Sequence, residues 1–158
     1  MSTTPTDTTA FRPDPTVFRP MKVTASRETS IGFEVEPATF KLTLDKMRLY
    51  LDWPETKNRH TDYAAAQQEG KPAPFAMFNH LSQIVGSMLV KFFGTGYLGG
   101  TFSGKAVKIC YVDDVLTTRM IVTDKVVEGD KMRIILDVWI EDQNGEKIIV
   151  GNASGMVT

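Results

Sequence analysis

From Phe75 to Phe93 the chain is apolar nearly all round, and this segment constrains the rest of the molecule more than any other. It approaches the roughly 20 residues that a membrane-spanning helix needs. Asn79, His80, Ser82, Gln83 and Lys91 lie within it, however, and each is costly in hydrocarbon. The expectation is a helix inside a protein, because a helix with so little polar face must be surrounded by other parts of a fold. Gly94-Thr95-Gly96 marks its end.

Lys105–Val112, Thr117–Val127, Lys131–Asp142 and Glu146–Val157 are rich in Val, Ile and Thr and are separated by turn residues, which predicts four consecutive strands. Asn144-Gly145 predicts a hairpin between the last two, with the type I′ turn whose positive φ angles both residues tolerate. In the last strand the two-residue period puts Ile149, Gly151, Ala153, Gly155 and Val157 on one face. Two glycines and an alanine fill a core poorly unless a thick element lies close against them, and the apolar helix is the candidate for that element.

Upstream, Ala38, Phe40 and Leu42 alternate with Thr39, Lys41 and Thr43, predicting a strand over Pro37–Thr43. Leu44, Met47, Tyr50 and Leu51 recur at spacings of three and four, predicting a short helix that Pro54 stops. Pro54–Thr61 reads as a polar loop, and Asp62 as the N-cap of a second helix, Tyr63–Glu69, ended by Gly70. Residues 1–28 are rich in Thr, Ser and Pro, repeat Phe11-Arg12-Pro13 as Phe18-Arg19-Pro20, and have neither helical nor strand period. They predict a flexible arm before one domain over 29–158. One strand, a helical section with a central apolar helix, then four antiparallel strands with the smallest side chains last is the order of an α+β hot-dog fold.

Composition removes several classes of function. Lys plus Arg (18) against Asp plus Glu (19) leaves a net charge of −1 with no basic cluster interleaved with aromatics, so no nucleic-acid partner is expected. A lone Cys110 in a β-branched stretch and two histidines in the whole chain predict no disulfide and no metal site, and the thiol reads as core. The opening residues fit neither a secretory signal nor a transit peptide, so the expected compartment is the cytoplasm, with no membrane partner.

The residues that carry chemistry lie between the helices. Glu55-Thr56-Lys57-Asn58-Arg59-His60-Thr61-Asp62 places an acid five positions before a histidine and an aspartate two positions after it, and Tyr63-Ala64-Ala65-Ala66 and Gly70-Lys71-Pro72-Ala73-Pro74-Phe75-Ala76 follow. In this order the chain resembles the MaoC-like hydratase/dehydratases, which include the (R)-specific enoyl-CoA hydratases. The likeness runs, more weakly, from Phe33 to the C-terminus. It implies a homodimer or dimer-based oligomer whose substrate is an acyl thioester of coenzyme A or acyl carrier protein, with no cofactor beyond that carrier. It implies His60 and Glu55 as catalytic residues, with Asp52, eight residues before His60, as the alternative carboxylate. Met77 and Phe78 then contribute backbone N–H groups to the thioester oxygen, and Asn58 is a further substrate-binding candidate. His80, one turn into the central helix, reads as either a buried histidine or a lining of the pocket. The family commonly has Asp in place of Glu55, Asn-Pro in place of Asn58-Arg59, and His-Gly in place of Met77-Phe78.

The loop makes chemical sense on its own. Adding water across a double bond conjugated with a thioester needs a base for the water, an acid for the α-carbon and donors for the charge growing on the carbonyl oxygen. An imidazole beside a carboxylate suits the proton transfers near neutral pH, and the unpaired N–H groups of a helix N-terminus suit the oxygen. The expected activity is a lyase that reversibly hydrates or dehydrates an enoyl or 3-hydroxyacyl thioester. A thioesterase on the same fold, and a non-catalytic hot-dog subunit that binds acyl thioesters, are the alternatives.

Overall fold

The computed structural model describes residues 23–51 and 57–158. Strand β1 (Glu34–Lys41) leads to helices α1 (Leu44–Leu51), α2 (Tyr63–Gln68) and α3 (Phe78–Phe93). A short 3-10 turn over Gly94–Tyr97 follows, then strands β2 (Thr101–Ala106), β3 (Val115–Glu128), β4 (Lys131–Glu141) and β5 (Lys147–Val157). The strands form one antiparallel sheet in the order β1-β3-β4-β5-β2. This sheet carries α3 against one face in the hot-dog arrangement.

Leu81, Val85, Met88, Leu89, Phe92 and Phe93 of α3 are buried with Met120, Val122, Ile134, Leu136, Val138 and Ile149 of the sheet in one core. The helix is not enclosed on all sides, as its composition suggested: Phe78, Asn79, Gln83, Ser87 and Lys91 are exposed. Cys110 is core, and burial foremost, with the Asp114 charge second, pushes its thiol pKa up to about 12. Gly155 does what its small size implied, since a Cβ there would fall 2.6 Å from the Phe93 ring. Gly151 is small for another reason: its Cβ would meet the Ser103 carbonyl oxygen of β2 at 2.3 Å.

Several expected boundaries move, and two of the larger shifts go together. β2 covers Thr101–Ala106 rather than Lys105–Val112, and α3 begins at Phe78 rather than Phe75. Cys110–Val112 leaves the sheet to pair with Pro74–Ala76, through Ala76 N–H to Cys110 O (2.8 Å), Val112 N–H to Pro74 O (2.9 Å) and a bridge between Phe75 and Tyr111. Phe75 is therefore extended, and the glycines flanking and within Thr101–Ala106 hide a true strand from propensity. β1 begins at Glu34, three residues ahead of Pro37, because an edge strand tolerates proline at an irregularity such as that between Val35 and Ala38. Thr24 and Ala25 donate to Phe92 O (3.2 and 2.9 Å), so the chain is tied to the end of α3 from that point.

The β4–β5 hairpin forms where expected, but not through a type I′ turn. Gly145 has φ 76°, whereas Asn144 has no positive φ, and Gly145 N–H donates to Asp142 O (3.0 Å). The buried Asp142 carboxylate organises this turn by accepting from Asn144 N (2.9 Å), Glu146 N (3.0 Å) and Lys108 Nζ (2.6 Å). The Lys108 hydrogen bond, above all, holds its pKa below the usual aspartate range. The stability this contributes is present above the unfolded carboxylate pKa and is lost as pH falls through the lower folded value. Acid titration followed by circular dichroism should find Asp142→Asn less stable at neutral pH and less sensitive to acid than the parent.

Thr118 of β3 is fully buried, and among the described residues its hydroxyl has no hydrogen-bond partner. Valine has the same shape without the stranded polar atom. Thr118→Val should therefore stabilise the domain by about 1 kcal/mol, read as a rise in midpoint on chemical denaturation.

Candidate active site

Asn58 shapes the loop that carries His60. Its side-chain oxygen accepts the His60 N–H (2.8 Å), its carbonyl accepts from Thr61 N and Asp62 N (both 2.9 Å), and its own N–H donates to Thr61 Oγ1 (3.2 Å). Asp62 caps α2 as its position implied, accepting from Ala65 N at 2.9 Å. Arg48 of α1 donates to Thr61 O (3.2 Å), so the loop is fixed from two helices.

This frame delivers the His60 ring to Phe75, three residues ahead of α3. His60 Nδ1 lies 2.7 Å from Phe75 O, and the ring packs edge-on to Phe75 with centroids 4.8 Å apart. A carbonyl oxygen only accepts, so Nδ1 carries the proton and the neutral ring keeps its lone pair on Nε2. Arg59 Nε donates to that Nε2 (3.2 Å), while its Nη1 pairs with Glu69 Oε2 (2.9 Å) and its guanidinium lies 5.8 Å from the Phe75 centroid.

The helix start supplies the second component. Met77 is the N-cap in an extended conformation and makes no side-chain capping bond, so the first N–H groups of α3, on Phe78 and Asn79, have no intrahelical acceptor. The Phe78 side chain stands 39% exposed beside them. One turn on, His80 stacks flat on Tyr50 (4.3 Å, 5°) in a shallow groove with Phe40, Leu42, Lys46, Leu49 and Ile84. Burial lowers its pKa.

The sequence-derived residues thus divide. Asn58 holds the loop that sets His60 against Phe75, three residues ahead of α3, and Met77 and Phe78 open that helix, whereas His80 stacks on Tyr50 of α1. Glu55 and Asp52 lie outside the described residues. Phe75, whose carbonyl fixes the His60 tautomer, carried no distinguishing signal in the sequence, and Arg59, which meets the other nitrogen, stood out there only as the departure from Asn-Pro. Among the described residues, no group of His, Cys, Asp and Glu could hold a metal ion, and no helix is long and apolar enough to cross a membrane.

No protein-family model matches the chain, and no curated protein matches it in sequence. Solved structures do. An (R)-hydratase from A. caviae involved in PHA biosynthesis is 18% identical with TM-score 0.69, over 84% of this chain and 100% of that one. A MaoC-like dehydratase from Rhodospirillum rubrum is 17% identical with TM-score 0.66, over 82% and 92%. The truncated HadBC complex from Mycobacterium tuberculosis, a 3R-hydroxyacyl-ACP dehydratase, is 15% identical with TM-score 0.62, over 80% and 96%. At such identities the likeness establishes a shared hot-dog fold.

Proposed function

We propose that the chain is a MaoC-like hydro-lyase that reversibly adds water to an enoyl thioester, with His60 as its proton-transfer residue. The observation that carries this reading is the bond from His60 Nδ1–H to Phe75 O, which leaves Nε2 as the basic nitrogen beside the segment that leads into α3. Water activated there attacks the β-carbon, and the N–H groups of Phe78 and Asn79 stabilise the charge that moves onto the thioester oxygen. Glu55, or Asp52 in its place, is the partner carboxylate that orients the water, and the proton that His60 Nε2 takes from that water passes to the α-carbon. Asn58 holds the loop in position, and no cofactor enters the sequence of steps. The hydratases and dehydratases that share the fold support the same chemistry, delivered on coenzyme A or on a carrier protein.

Incubation with crotonyl-CoA tests the proposal. Loss of enoyl absorbance with no free thiol is the expected result; free thiol would mean thioester hydrolysis, and binding without turnover a non-catalytic subunit. Both β1 and β2 are sheet edges, which suits pairing with a second copy in the cytoplasm. Sedimentation at micromolar concentration should give a dimer, and a stable monomer would remove that part of the reading.

A further inference from the structure

We propose that Arg59 is a positioning residue that caps the proton-accepting nitrogen of His60, and that proton transfer at this site requires its displacement. The consequence for turnover rests on the hydro-lyase reading; the contact itself does not. The Phe75 carbonyl fixes Nδ1 as the protonated nitrogen at 2.7 Å, which leaves one lone pair on the ring, and Arg59 Nε donates to it at 3.2 Å. While that bond stands, Nε2 accepts no proton from water.

The guanidinium is not held by His60 alone. Glu69, at the C-cap of α2, takes Nη1 at 2.9 Å, and the Phe75 ring lies beneath it at 5.8 Å. One aromatic residue therefore organises both contacts of the imidazole, its carbonyl on one nitrogen and its ring under the cation that covers the other. The Arg59 and Glu69 side chains are 49% and 50% exposed, and ion pairs of that kind are weak. The cap is thus easily opened: the guanidinium can stay with Glu69 while its Nε turns away, leaving Nε2 to a water.

Diethyl pyrocarbonate, which acylates an imidazole through an unprotonated, accessible nitrogen, reports on the cap without any need for substrate. The rate at His60 is read by peptide mass spectrometry, with the half-buried, stacked His80 as internal reference. Arg59→Leu should raise the rate at His60 about fivefold or more, in keeping with loss of a charge-assisted hydrogen bond at a partly exposed site. Glu69→Gln, ten residues away, should raise it by less. The double variant should match Arg59→Leu alone, because both changes act on the same contact. An unchanged rate in Arg59→Leu overturns the proposal. So does faster labelling of His60 and His80 together with a silent Glu69→Gln, which would mean a frayed loop. If the labelling follows the expected pattern and no hydration is found, the cap stands and the hydro-lyase reading falls.

Discussion

On the proposed reading, replacing His60 by alanine should lower the rate of enoyl-thioester hydration by about 100-fold or more, because it would remove a proton-transfer partner of a kind typically worth roughly 10²–10⁴. The fold should survive, since His60 is only partly buried and Asn58 organises the loop through backbone bonds to Thr61 and Asp62 that do not involve the ring. Glu55→Gln should cost a similar factor and Asp52→Asn little. Glu55→Gln combined with His60→Ala should be hardly slower than the worse single change, because groups acting on one water are not additive. Steady-state rates with crotonyl-CoA decide between the carboxylates: a dead Asp52→Asn beside a normal Glu55→Gln transfers the role to Asp52. If all of these variants keep the parent rate, the loop is not the site.

Gly155→Val should be a damaging change in the sheet. The added Cβ would lie 2.6–2.7 Å from three atoms of the Phe93 ring. That ring is 3% exposed and set between Phe92, edge-on at 4.8 Å, and Tyr97, stacked at 6.5 Å, so it has little room to yield. Overpacking of this kind costs about 1–3 kcal/mol. Thermal melting should show a fall of several degrees, on the order of 2–4 °C per kcal/mol for a domain of this size. Phe93→Ala alone should cost about 3–5 kcal/mol through the cavity it leaves. In the double variant the valine fills part of that cavity, so the combined loss should be smaller than the sum of the two. Strict additivity would mean that Gly155 and Phe93 do not constrain each other.

The stripe of small residues in β5 shows how much of the fold was legible. Periodicity alone placed Gly155 and Ala153 on one face and implied a thick neighbour, and Phe93 is that neighbour for Gly155. Gly151 sits in the same stripe for an unrelated reason, the close approach of β2, and nothing local to the chain separates the two cases. The candidate site was legible as a loop and not as a geometry. The family resemblance carried by the acid-to-histidine spacing singled out His60, and Asp62 declared itself as an N-cap. The tautomer of His60, by contrast, depends on a carbonyl 15 residues away. That carbonyl faces the loop because Phe75 bridges Tyr111, a pairing between segments 36 residues apart that read separately as helix and strand. Non-local pairing overrode local propensity at both ends, so the missed boundaries and the missed site contacts have one cause.

Hydration in ¹⁸O-labelled water tests the central claim most directly, because the position of the label reports the bond that is made. With crotonyl-CoA as substrate, water added by the enzyme should appear as ¹⁸O in the hydroxyl of an intact 3-hydroxyacyl thioester. The same incubation with His60→Ala should yield about 100-fold less of that product in the same time. Label in the carboxylate of a released acid, or equal labelling of the thioester by the parent and His60→Ala, would contradict the account.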